Sequence, residues 1–441
     1  MKKLILYCLL ALSTSVAFAQ HKVKKDTSMK GMDMGDMKMD STNSMMMNSQ
    51  YSLDLSMNRD GSGTSWVPDE TPMYAYMING KEWMTMIHGS IFLRYNNQDL
   101  FKSGSRGGSK VDAPNWFMAM TQRKVGNGGL FSINTMFSFD PFLVGPGGYP
   151  LLYQTGESYK GKKLVDRQHP HDLFAELSAN YTQRIAKDAD VSLSVGYPGE
   201  PALGPPVFMH RLSAMNDPDA PLTHHYADAT HITFGTATLG FRYKDVKLEG
   251  SIFTGREPDE FRYNFNPIRL DSYSIRLSYN PSKEWALQVS NGWIHSPESI
   301  EPQQNVDRFT ASAIYTKMMG DDSYIATTLV YGKNHYSDNQ KTLPSVLLES
   351  SWQMHKTAIY GRYEYVQKDA DEFDLTTTYP LNPNFTINAI TLGTNRILAT
   401  IAKTNLTAGL QGTLNVSPSE LRGLYGSTPL GFEVYLRITP H

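Results

Sequence analysis

Two groups of side chains in this sequence have the chemistry to hold a metal ion. The first is a methionine tract. Residues 29 to 47 carry Met29, Met32, Met34, Met37, Met39, Met45, Met46 and Met47, interleaved with Asp33, Asp36, Asp40, Gly31 and Gly35. The Met-x-Met and Met-x-x-Met spacing lets a flexible chain wrap several thioethers around one ion. Thioethers are soft donors that select Cu(I) over hard cations, and they need no deprotonation. The same tract also reads as a low-complexity linker, or as a sacrificial sink for oxidants, because methionine oxidises reversibly.

The second group is imidazole. Of the 12 histidines, His169, His171, His210, His224, His225 and His231 fall within one stretch of the chain, with Asp166, Asp172, Asp217, Asp219 and Asp228 close by. His169-Pro170-His171-Asp172 and His224-His225 are compact polar clusters. Imidazole suits copper, zinc and nickel. The spacing matches no zinc signature, and histidines hydrogen-bonded to carboxylates would equally serve to pin loops. A charged run at Gly255-Arg256-Glu257-Pro258-Asp259-Glu260-Phe261-Arg262-Tyr263 reads as a salt-bridged loop anchor or as part of a ligand site.

These residues need a scaffold, and the hydrophobic pattern supplies one. Strand-length segments with a period of two run over 83–97, 115–125, 129–140, 171–186, 190–198, 231–244, 246–256, 272–280, 285–295, 306–319, 323–336, 344–354, 357–367, 386–402, 404–416 and 431–439. In 404–416, Leu406, Ala408, Leu410, Leu414 and Val416 share one face, and Thr407, Gln411, Thr413 and Asn415 the other. The joins alternate between short turns and longer loops, the layout of an up-and-down transmembrane barrel. The sequence therefore predicts an all-β, antiparallel up-and-down transmembrane β-barrel of about 16 strands. Segments 71–79 and 257–270 leave room for another pair, so counts from about 14 to 18 stay open. The polar phase carries Glu176, Arg184, Arg242, Arg276, Arg362, Glu364, Glu433 and Arg437. A lipid-facing Arg costs about 2–4 kcal/mol at mid-membrane, so these side chains should face the lumen. The His-bearing loops are then expected to form a constriction or plug.

Composition agrees with a half-apolar strand. The hydrophobic fraction is 40%, Gly 34, Tyr 25 and Phe 19 are prominent, and Lys+Arg 41 nearly balances Asp+Glu 43, which argues against nucleic acid as a partner. Mean hydropathy of -0.40, with no long apolar run beyond the start, argues against membrane-spanning helices. Residues 1–19 read as a secretory signal peptide: Lys2 and Lys3, then an apolar stretch, then Ala17-Phe18-Ala19 as the cleavage site. The single cysteine, Cys8, would leave with it, making methionine the sulfur donor of the mature chain. Residues 20–70 read as a disordered Met-rich periplasmic segment, and 71–441 as the barrel.

The export signal, the alternating strands and the amphipathic final strand Gly431-Phe432-Glu433-Val434-Tyr435-Leu436-Arg437-Ile438 give a chain that resembles bacterial outer-membrane porin-type β-barrels. Such families usually end on an aromatic residue, whereas this chain ends Thr439-Pro440-His441. The order of signal, methionine tract Met29 to Met47 and barrel resembles the outer-membrane copper resistance protein B family, although the tract lacks the histidines common there. The resemblance implies an outer membrane of a Gram-negative-type bacterium, with the tract in the periplasm. It also implies lipid, the barrel-assembly machinery and periplasmic copper-handling proteins as partners, with a homotrimer as one form of association.

Function is then expected to be copper binding, export or tolerance, with copper ions held as Cu(I) at the tract. A general porin or channel is the alternative. An outer-membrane hydrolase is the third reading. With no Gly-x-Ser-x-Gly elbow in the sequence, the expectation is that the protein is not an enzyme.

Overall fold

The computed structural model describes residues 48–441. Residues 1–19, read above as a signal peptide, and the tract Met29–Met47 lie outside the described residues.

Sixteen strands form the wall: β1 (Met84–Gln98), β2 (Asn115–Val125), β3 (Gly129–Phe137), β4 (Phe174–Ala186), β5 (Ala189–Gly196), β6 (Thr236–Tyr243), β7 (Val246–Phe253), β8 (Ser272–Ser282), β9 (Trp285–His295), β10 (Asn305–Gly320), β11 (Ser323–Tyr336), β12 (Thr342–Met354), β13 (Thr357–Asp369), β14 (Asn384–Ile401), β15 (Thr404–Val416) and β16 (Leu430–Pro440). Each pairs antiparallel with the next, and β16 closes on β1 from Ile91 opposite Ile438 to Asn97 opposite Phe432. All sixteen expected segments are strands, in the expected order.

Two short strands complete the seam. The lower half of β1 pairs with Tyr76–Asn79, which prolongs the line of β16. On the other edge of β1, Gly108–Asp112 continues the line of β2. Neither adds a seventeenth position to the wall, and 257–270 holds no strand. A closed ring leaves no unpaired edge, which a lipid environment requires.

The two faces separate as the period of two dictates. Leu277, Ile275, Leu392, Leu410 and Leu436 point outward and are exposed, while Arg276, Thr391, Gln411 and Glu433 are buried inside. Seven of the eight inward-assigned charges are buried: Glu176, Arg242, Arg276, Arg362, Glu364, Glu433 and Arg437. Arg184 is the exception. It sits where β4 frays toward its turn, with its side chain 38% exposed and paired to Asp54.

The lumen is filled. Residues 197–235, the connection between β5 and β6, fold back into it and are buried almost throughout. Charges on this plug meet charges on the wall. Arg211 Nε donates to Glu349 of β12 at 2.7 Å. Asp219 accepts from Arg94 of β1 at 2.7 Å. Asp217 lies 3.1 Å from Arg362 of β13.

Residues 48–75 enter from the short-turn end. Gln50 Nε2 donates to Asn134 of β3 at 2.9 Å, and Arg276 of β8 donates to Thr64 Oγ1 at 2.7 Å. Arg59 bridges Asp69 and Asp245, the latter in the β6–β7 turn. This corrects the sequence-based boundary: 48–70 belongs to the packed interior, not to a disordered segment. Its polar residues find partners on a polar wall, so it needs little apolar content of its own.

The separation of faces makes a simple prediction. Leu277→Arg, on the outer face of β8, should destabilise the barrel by roughly 2–4 kcal/mol, read as a lower urea midpoint for unfolding from lipid vesicles. An unchanged midpoint would contradict the assignment of that face to lipid.

Candidate metal centre

Three loop segments converge at the long-loop end. After β3, the chain forms a hairpin of Tyr149–Tyr159 and Lys162–Gln168, separate from the wall. It delivers His169-Pro170-His171-Asp172 directly before β4. The plug contributes two tight turns, His224–Ala227 and Ala229–His231. Within the β7–β8 loop, the charged run supplies Glu257 and Arg262.

The structure brings five of the six expected histidines together. Ring centroids are 5.5 Å apart for His169 and His225, 5.1 Å for His224 and His225, 5.0 Å for His224 and His231, and 5.4 Å for His171 and His231. Ligand atoms of His169, His224 and His225 lie within 4.8 Å of one another. His210 does not join them; its ring lies tilted against Trp116, centroids 4.6 Å apart, elsewhere in the lumen.

The hydrogen bonding of these rings is one-sided. His171 Nδ1 donates to Asp140 at 2.8 Å, His224 Nδ1 to Asp228 at 2.6 Å, and His231 Nδ1 to the Asp228 carbonyl at 3.1 Å. The opposite nitrogens, Nε2 of His171, His224, His225 and His231, are buried with no hydrogen-bond partner. A buried polar atom left unpaired costs about 1–3 kcal/mol, so four in one place need a reason. Histidines that ligate a metal donate their other ring N–H to a carboxylate or carbonyl, which fixes tautomer and orientation. That is the pattern at His171, His224 and His231. The same hydrogen bonds that pin the loops leave these ring nitrogens open.

Burial favours the neutral form of His169, His224, His225 and His231, the form in which imidazole binds a metal. Burial pushes His169 and His231 well below the ordinary histidine range and His225 down to about 3. His224 is also lowered by burial, with Asp228 opposing. Carboxylates at the rim move the other way: burial raises Glu157 and Asp172 to about 7, against the pull of Arg262. Arg262 pairs with both, so the charged run is a salt-bridged anchor that also borders the histidines. Glu257 lies 3.9 Å from His225, with one buried oxygen unpaired.

Asp140, Glu157 and Glu257 were not singled out as partners of these histidines in the sequence. Asp140 is 31 residues from His171 and carries no local signal. Gly156 was also missed. Its φ is +118°, and a Cβ there would lie 2.3 Å from His225 Cε1.

No protein-family model matches the chain, and no curated protein matches it significantly. Solved structures similar to it include OmpT, an outer membrane protein of Vibrio cholerae, at TM-score 0.45 and 9% identity, covering 83% of this chain and 100% of that one. Salmonella typhi OmpF in complex with daunomycin matches at TM-score 0.48 and 9% identity, covering 83% and 99%. An anion-selective porin from Comamonas acidovorans matches at 0.45 and 11%, covering 81% and 99%.

Gly156→Ala should cost about 1–3 kcal/mol through backbone strain and displace the His225 ring. Urea unfolding checks the first effect. A histidine ring resonance shift confined to this end of the barrel checks the second.

Proposed function

We propose that this protein is an outer-membrane barrel with an occluded lumen that handles a transition-metal ion, copper in the first instance, rather than an enzyme. The observation that carries the reading is the set of four buried, unpartnered Nε2 atoms on two converging segments, His171 before β4 and His224, His225 and His231 on the plug, with neighbouring rings about 5 Å apart. Copper is the ion that suits both donor types in the chain: thioether favours Cu(I), and imidazole suits copper alongside zinc and nickel. An exterior of Leu, Ile, Val and aromatic side chains supports a lipid environment. Entry of residues 48–75 at the short-turn end supports a periplasmic N-terminal side, since outer-membrane barrels keep their short turns there.

A general channel is the second reading. Sixteen strands enclose an aqueous interior when loops do not fill it, so a plug that moves would open one.

One experiment addresses both. Full-length barrel in detergent is titrated with Cu(II) and Zn(II) by calorimetry, beside His224→Ala and His231→Ala. A binding step weakened at least tenfold in both variants is expected. Planar-bilayer recording of the same protein is expected to show low conductance that responds to the metal. Large, stable conductance indifferent to metal, with heats unaltered in the variants, would overturn the metal reading in favour of the channel.

A further inference from the structure

His210 points to a second place in the lumen. Strands β1, β2 and β3 turn an unusual set of side chains inward. Met86 stands opposite Met120, and His88 opposite Met118, across β1 and β2. Met118 stands opposite Met136 across β2 and β3. Directly opposed residues on one face have Cβ atoms about 4.5–5.5 Å apart, so these thioethers form a continuous patch. All four methionines are buried. The plug adds Met209 and His210 from the turn Phe208–His210, and the N-terminal segment adds Met57, to the same cluster.

The imidazoles here are arranged unlike those of a simple apolar core. His88 and His210 lie 5.7 Å apart, both against Trp116. The buried Nε2 of His88 has no hydrogen-bond partner. It faces a cavity lined by Met86, Met118, Met120, Met209 and His210. Inward positions on the rest of the wall are largely Ser, Thr, Asn, Gln and charged residues. Where apolar filling alone is needed, Leu, Ile or Val specify a core better than flexible Met. Methionine at successive inward positions of neighbouring strands supplies instead a field of polarisable sulfur next to an available ring nitrogen.

We infer that this cleft is a second metal site, one that takes a soft monovalent cation of the Cu(I) or Ag(I) class on thioether sulfur with His88 or His210 nitrogen. Soft thioether donors discriminate against Ca2+ and Mg2+, and the one carboxylate lining the cavity, Asp60, has its oxygens taken by Ser49 and the Gln50 N–H. The site lies inside the barrel and is distinct from the five-histidine centre. It shares with the proposed function the idea that the chain handles soft metal, but it does not need the five-histidine centre to be real.

The test uses full-length protein in which the eight tract methionines, Met29 to Met47, are replaced by Ser, so that the tract does not compete. Ag(I), which does not change oxidation state during the titration, is the probe. Silver bound per barrel is measured by mass spectrometry after desalting, with Trp fluorescence as a second signal because Trp116 lies against His210. One retained equivalent is expected. Met118→Leu and Met120→Leu, which conserve volume, should each weaken it at least tenfold, whereas His224→Ala should leave it unchanged. X-ray absorption of the silver-loaded unsubstituted wall should show sulfur neighbours, a readout that holds even if a Leu variant folds poorly. No retained silver, or silver with only oxygen and nitrogen neighbours, would overturn the inference. Loss of silver in His224→Ala together with unchanged binding in the Leu variants would assign the ion to the five-histidine centre instead.

Discussion

Charge matching across the lumen is the constraint on which the rest of the interior depends. The wall turns Arg94, Arg276, Glu349, Arg362 and Glu433 inward, and the filled lumen shields them from water. A buried charge without a partner is expensive, and breaking one member of a buried pair costs about 3–5 kcal/mol. Wall neighbours pair some of these charges, as Glu249 does Arg276, and the plug supplies further partners to Arg94, Glu349 and Arg362. Arg94 alone faces Asp112, Asp219 and Glu433, and Glu349 receives both Arg211 and Arg362. The plug-to-wall pairs Asp219–Arg94, Arg211–Glu349 and Asp217–Arg362 define where the plug sits and hold its turns in one arrangement.

That arrangement builds the histidine centre. Asp228 is the pivot: one carboxylate oxygen takes Arg211 and the other takes His224. Arg211, which ties the plug to Glu349 of the wall, is thus linked through Asp228 to the His224 ring and helps set the direction in which its Nε2 points. The hairpin and the β7–β8 loop are joined by Arg262, which pairs with Glu157 of one and with Asp172 before β4. Position at the mouth of the barrel and ligand geometry are therefore coupled through a few guanidinium groups.

The wall was legible in the sequence because its rule is local. A period of two, with charges on one phase, places Leu410 outside and Gln411 inside without reference to any other strand. The interior was not legible, because its rule is long-range. Residues 48–70 lack the aliphatic content of a core, yet Gln50, Thr64 and Arg59 are packed by partners as far as 212 residues away. The hairpin Tyr149–Tyr159 has no clean alternation, and its register shifts between Pro150 and Thr155 and again before Ser158. Clustering of histidines in sequence pointed to five residues that the structure brings together. It placed His210 with them because proximity along the chain does not reveal which wall a turn faces. The inward methionines of β1 to β3 escaped notice because, in one dimension, they look like ordinary strand residues.

The plug is tethered at both ends to neighbouring strands, leaving β5 at Gly196 and returning at Thr236. Such a segment can shift within the barrel but cannot be shed from it. On the proposed metal reading, passage of an ion past it would be a matter of dehydration: water ligands would be exchanged for sulfur or nitrogen before the ion advances, and recovered at the far side. Discrimination in a barrel of this kind would rest on how readily an ion trades its ligands, not on the width of an opening. Ions that hold their water tightly would be turned away at a barrier of their own making.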